Sequence, residues 1–133
     1  MRFMRRLMVL AAAAALSISS APAAELIMVR QAGCPWCAVW DREIGPIYGK
    51  TEVGKRAPLR MADLHDRLLI TLKSPVIYTP TFLLVEKNRE VGRIEGYSGD
   101  HFFWALLERL LDQSTTEHSQ RATMRILLSA NVR

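Results

Sequence analysis

Cysteine and histidine are scarce in this chain of 133 residues: Cys34 and Cys37 are the two cysteines, with His65, His101 and His118 as the three histidines. A structural zinc site would need two ligands beyond the cysteine pair, and these histidines stand at spacings that match no common finger. Each reads instead as a surface residue. The sequence also lacks a basic stripe interleaved with aromatics, which argues against a nucleic-acid groove. Internal repeats, long linkers and low-complexity runs are missing too, apart from the alanines near the start, so one compact domain is expected.

The formal charge of +5 is concentrated at the N-terminus. Met1 to Arg6 is basic, Leu7 to Ile18 is apolar and alanine-rich, and Ala21-Pro22-Ala23 has the small-x-small pattern of a cleavage site. Residues 1–23 therefore read as a signal peptide. An apolar run of about a dozen residues is too short to cross a bilayer of ~30 Å at 1.5 Å per helical residue, so no permanent membrane anchor is expected. Without this segment, 15 of the 18 basic residues face 13 acidic ones, a net +2. Export would place both cysteines in a compartment where disulfides form and persist.

The mature chain reads in order. Leu26-Ile27-Met28-Val29 is an apolar run suited to a strand buried on both faces. Gln31-Ala32-Gly33 turns the chain, and Pro35 sits in the first turn of a helix carrying Trp36, Val39, Trp40 and Ile44. Gly45-Pro46 stops or kinks that helix, and Gly49 to Gly54 reads as a polar connection. Residues 58–62 suggest a second strand, followed by a short helix over Asp63 to Ile70. Thr81 to Val85 and Glu90 to Ile94 read as a hairpin. Phe102, Phe103, Leu106, Leu107 and Leu110 recur on one face of a helix beginning near Asp100. The core domain is assigned to residues 24–113, and residues 114–133 to a tail that is either a frayed helix or disordered. The order βαβαββα fits an α/β three-layer sandwich around a mixed four-stranded sheet.

Cys34-Pro35-Trp36-Cys37 carries the chemistry. Unpaired N–H groups and the positive end of a helix dipole stabilise a thiolate at its N-terminus, where cysteine pKa values commonly fall to ~3.5 to 7.5 from about 8.5. Cys34 is therefore the expected nucleophile, and Cys37, one turn on and more buried, the resolving thiol. A purely structural disulfide would close four residues and constrain the unfolded chain by only ~2 kcal/mol, which makes it a poor staple. Two inert thiols are the other bland reading. Trp36 fits an apolar platform facing substrate as well as a packed helix residue. Thr79-Pro80 precedes a buried strand, where proline belongs at the first position or in a special turn.

The strand leading into Cys34-Pro35-Trp36-Cys37, followed by Thr79-Pro80-Thr81-Phe82 at the head of a hairpin, resembles the thioredoxin superfamily over residues 25–112. That resemblance implies that Pro80 is cis and lies against the cysteines, and that the backbone of Thr79 hydrogen-bonds an extended substrate chain. Trp36 would contribute to the same substrate-binding surface. The Pro-Trp dipeptide is closer to glutaredoxin-like and Dsb-like members than to thioredoxin's Gly-Pro. The buried aspartate of thioredoxins has no counterpart in Leu26 to Val29, which leaves Glu43, Asp63 and water as candidate proton acceptors for Cys37. More narrowly, residues 31–37, 40–48 and 90–97 resemble the small periplasmic thioredoxin-like proteins of bacterial sulfur-oxidation (Sox) systems. This implies a periplasmic thiol-disulfide oxidoreductase that needs no cofactor. It would reduce a protein disulfide or blocked thiol, such as that of a sulfur-carrier protein, and be recharged by a membrane electron donor. A disulfide oxidase or isomerase of Dsb-like type uses the same residues in the other direction, and a non-enzymatic binding domain with a structural disulfide is the rival from another class.

Overall fold

The computed structural model describes residues 23–131, so the expected signal peptide lies outside the described residues, apart from Ala23. The order is β1 (Glu25–Arg30), α1 (Pro35–Glu43), α2 (Gly45–Tyr48), α3 (Glu52–Arg56), β2 (Leu59–Asp63), β3 (Thr81–Glu86), β4 (Arg89–Glu95) and α4 (Asp100–Ala130). The strands form one mixed sheet in the order β2-β1-β3-β4. β1 runs parallel to β2 and antiparallel to β3, and β4 is antiparallel to β3. A parallel pair needs a crossover, and the three helices between β1 and β2 supply it.

Alternation along the two central strands builds two cores. Leu26, Met28, Phe82 and Leu84 face the helices, where they meet Trp40, Ile44, Tyr48, Phe103 and Leu107. Ile27, Val29, Leu83 and Val85 point the other way. Both central strands are thus buried on two faces, which is why they read as unbroken apolar runs. The rings of Phe82 and Phe103 meet edge to face at 4.9 Å, and that of Trp40 lies 5.5 and 5.7 Å from them. Such pairs add ~0.5 to 1.5 kcal/mol beyond the area they bury.

Three local expectations are corrected. The helix anticipated over Asp63 to Ile70 is absent. The Asp63 carboxylate accepts from the His65 amide at 2.9 Å and the Asp66 carboxylate from the Asp63 amide at 2.8 Å, so short acidic side chains satisfy the backbone in a turn instead. Extended chain follows, with Leu68, Ile70 and Leu72 packing inward while Leu69 is exposed. This is a period of two, and the third layer of the sandwich is this non-helical strap. The connection from Gly49 to Gly54 instead begins α3, because the Thr51 hydroxyl accepts from the Gly54 amide at 3.0 Å and caps it. A Cβ at Gly54 would meet the Tyr48 carbonyl oxygen, so only glycine lets α2 and α3 approach this closely.

On α4 the buried face is Phe103, Leu107, Leu111 and Ser114, whereas Phe102 and Leu106 turn outward. Spacing of 3.6 separates Phe102 from Phe103 by too large an angle for both to face the sheet. The helix continues to Ala130 and is tied to the end of β3 through Glu86, which accepts from the Ser114 hydroxyl at 2.5 Å and lies 3.4 Å from the His118 ring. Thr115, Thr116, Ser119 and Thr123 donate to carbonyls four residues back, a bond that lets hydroxyl residues sit within a helix.

Candidate redox site

The site is assembled where β1 gives way to α1. After Arg30 the chain turns through Gly33, whose φ of +74° suits glycine, and the Cys34 amide donates to the Gln31 carbonyl at 3.3 Å. Cys34 is the N-cap of α1. Its backbone is extended, with φ −73° and ψ 109°, Pro35 follows in the first turn, and its sulfur accepts from the Cys37 amide at 3.2 Å. The two cysteines form a disulfide, with Cα atoms 5.3 Å apart. Cys37 is fully buried and Cys34 is 9% exposed. No acidic residue stands in the first turn of α1, so nothing there opposes a negative charge on sulfur.

Thr79 and Pro80, the residues expected to lie against the cysteines, come at the head of β3. Val29 pairs with Thr81, so β3 starts at the end of the sheet where β1 runs into the cysteines. The Thr79–Pro80 bond is cis and Pro80 is buried. The Pro80 carbonyl accepts from the Gly96 amide at 2.7 Å, and the Thr81 hydroxyl donates to the Tyr78 carbonyl at 2.7 Å, which ties the turn on both sides. Thr79 is half-buried. Trp36 is 58% exposed, and its indole stands at the surface between the two cysteines in sequence.

Two polar links brace α1. Arg30 donates to both oxygens of Asp41 at 2.9 and 2.8 Å, joining the end of β1 to the helix. The bidentate hydrogen bonds hold the guanidinium more firmly protonated, against a small loss from burial. On the opposite flank the Tyr97 hydroxyl donates to Glu43 at 2.6 Å. Burial raises the Tyr97 pKa above its ordinary value, and the Glu43 and Asp100 carboxylates raise it further. The pairs are 11 and 54 residues apart, so no local pattern could have matched them. Glu43 is thus engaged with Tyr97 on the outer flank of α1, whereas Asp63 lines a recess shared with Cys34, Gly33 and Met61.

The periplasmic thioredoxin SoxS from Paracoccus pantotrophus, solved in its reduced form, is 44% identical to this chain, with a TM-score of 0.67. The match covers 98% of that protein and 68% of this one. The chain belongs to the SoxS-like thioredoxins. No family model matches it, and neither does any curated protein sequence. The SoxS-like thioredoxin described here is a thiol-disulfide oxidoreductase, with its C-x-x-C pair joined as a disulfide at the head of α1. Among the described residues no helix is long and apolar enough to cross a membrane.

Proposed function

We propose that this thioredoxin works in the periplasm as a reductase of protein disulfides or blocked thiols, with a sulfur-carrier protein of a sulfur-oxidation system as partner. Residues 1–23 would direct its export. The observation that carries the reading is the hydrogen bond from the Cys37 amide to the sulfur of Cys34 at a helix N-terminus. An N–H aimed at sulfur stabilises thiolate over thiol, so Cys34 is the nucleophile of the reduced enzyme. The 44% identical neighbour is a periplasmic thioredoxin, which supports the compartment, and the resemblance of residues 31–37, 40–48 and 90–97 to proteins of Sox systems supports the sulfur-carrier partner.

In the reduced enzyme the Cys34 thiolate attacks one sulfur of the partner's disulfide. A mixed disulfide forms and the other partner sulfur leaves as a thiolate, which takes up a proton. Cys37, deprotonated, then attacks the Cys34 sulfur and releases the second partner thiol. Two electrons have passed to the partner, and the Cys34–Cys37 disulfide remains, which is the state of the pair in this structure. A membrane electron donor would return two electrons and two protons. The exposed face of Trp36 and the backbone of Thr79 beside Pro80 would hold the partner's chain in extended form along the end of the sheet.

Replacing Cys37 with serine removes the resolving thiol, so the Cys37→Ser enzyme should accumulate a covalent adduct with an oxidised partner that dithiothreitol releases. Reversible binding with no adduct would point to an adaptor instead. The reduction potential sets the direction. A value near −270 mV, about that of thioredoxin, supports a reductase, and one near −120 mV would make the protein a disulfide donor.

A further inference from the structure

On the flank of α1 that carries Trp36 lies a recess that the exchange chemistry leaves unused. Its lining includes Trp36, Val39 and Glu43 from one face of α1, with Gly96, Tyr97 and Gly99 opposite. Glu43 is the one carboxylate in that lining. One Glu43 oxygen accepts from Tyr97 at 2.6 Å, and among the described residues the other oxygen has no hydrogen-bond partner. No Lys, Arg or His among the described residues stands within ion-pair distance of that carboxylate. The carboxylate is therefore without an ion-pair partner among the described residues, and it lines the same recess as an indole that is 58% exposed.

The carboxylate is also held in place. Tyr97 is buried, and its ring meets Phe103 edge to face with centroids 6.1 Å apart, so its hydroxyl has little freedom. Restricting Glu43 in advance lowers the entropy lost when a partner group binds it. A fixed carboxylate and an open aromatic face that line one recess suit a cationic partner, which gains from the charge and from the ring quadrupole.

We propose that this recess is a specificity site that selects partner proteins carrying a lysine or arginine beside the disulfide they present to Cys34. Glu43 supplies the charge and Trp36 the aromatic face, while Tyr97 is a positioning residue that fixes Glu43. The inference rests on the reading of Trp36 as part of the partner-contacting surface.

The test uses the full, reduced protein and matched disulfide peptides that differ only in the residues flanking one cysteine, with Arg, Gln or Glu on either side. For the unaltered enzyme, kcat/KM should favour the Arg peptide over the Gln peptide by about three- to ten-fold, and the Glu peptide should be slowest. The Arg-to-Gln ratio should fall towards one in Glu43→Gln and in about 0.5 M salt, survive in part in Glu43→Asp, and drop partway in Tyr97→Phe. Taking the ratio cancels any change in the cysteines themselves. Equal rates for the three peptides would overturn the specificity site while leaving the exchange mechanism intact, and so would a ratio that persists in Glu43→Gln. Failure to reduce any peptide would overturn both.

Discussion

On one face of the sheet Leu26, Met28, Phe82 and Leu84 meet the fully buried rings of Trp40 and Phe103, carried on helices. On the other, Ile27, Val29, Leu83 and Val85 meet Leu64, Leu68, Ile70, Leu72 and Val76, all only partly buried and carried on a strap without a helix. The helical face delivers the cysteine pair, and the strap delivers Thr79-Pro80. What the strap lacks in apolar burial it makes up in polar fastening along the edge of β4. Thr71 exchanges backbone hydrogen bonds with that edge, accepting from the Glu90 amide at 2.9 Å and donating to the Asn88 carbonyl at 2.8 Å. Arg93 donates to the Ser74 carbonyl at 2.8 Å, and Glu90 accepts from the Lys73 amide at 2.8 Å. The strap also shields an edge strand that would otherwise offer free backbone groups to other chains. The cysteine pair and Thr79-Pro80 are therefore held by different forces, and each can be disturbed by a different kind of substitution.

The largest effect should come from the aromatic centre of the helical face. Phe103 is 2% exposed and touches the rings of Trp40, Phe82, Tyr97 and Trp104. Phe103→Ala should cost about 4 kcal/mol, the transfer energy of the ring plus the cavity it leaves. Denaturant unfolding would show it as a lower midpoint with an unchanged slope. A loss below about 1 kcal/mol would mean that the helical face is not held by this cluster.

Glu90 tests the polar fastening of the strap. Its side chain is fully buried and accepts from both ends of the Arg93 guanidinium at 2.6 and 2.7 Å. Burial pushes its pKa up, but hydrogen bonds from Arg93 and the Lys73 amide outweigh that and leave it below the ordinary 4.5. A carboxyl with a depressed folded-state pKa stabilises fully above its unfolded value, and the contribution is lost as pH falls through the folded one. Glu90→Gln keeps the shape and removes the charge, so it should cost about 2 kcal/mol at neutral pH. Below about pH 4.5 the gap between variant and parent should narrow. Thermal melts of the two proteins from neutral to acid pH would show converging midpoints, and parallel curves would exclude Glu90 as the source.

The two faces also differ in how readable they were. The helical face announces itself locally: a proline in the first turn, apolar residues at helical spacing, and the bounded runs of β1 and β3. All of these are set by neighbours in the chain. The strap is set by distant ones. Leu68-Leu69-Ile70 suits a helix or an extended chain equally, and the decision lies with the β4 edge, whose backbone is free to bond Thr71. Phe102 and Phe103 are both apolar, and only the sheet beneath α4 determines which one is buried. At the site, the spacing of Cys34 and Cys37 shows the exchange chemistry, and Thr79-Pro80 shows a special turn. Arg30 with Asp41 and Glu43 with Tyr97 meet only after folding.

The smallest effect, and the sharpest separation of the two faces, is expected from Leu68→Ala. Leu68 is only partly buried against Ile27, Val29 and their neighbours, so truncation should cost about 1 kcal/mol, well below the ~2 to 5 of a fully buried leucine. Stability is not its main readout. If the strap positions Thr79-Pro80 for a partner's chain, loosening it should raise KM for a disulfide peptide by about two- to five-fold, the scale of a backbone contact worth ~0.5 to 1 kcal/mol. The reduction potential of Cys34 and Cys37 should stay where it was, because the helix end that stabilises the thiolate is packed on the other face. A potential that moves together with KM would show that the strap and the helices act as one unit, and the distinction between the two faces would fall.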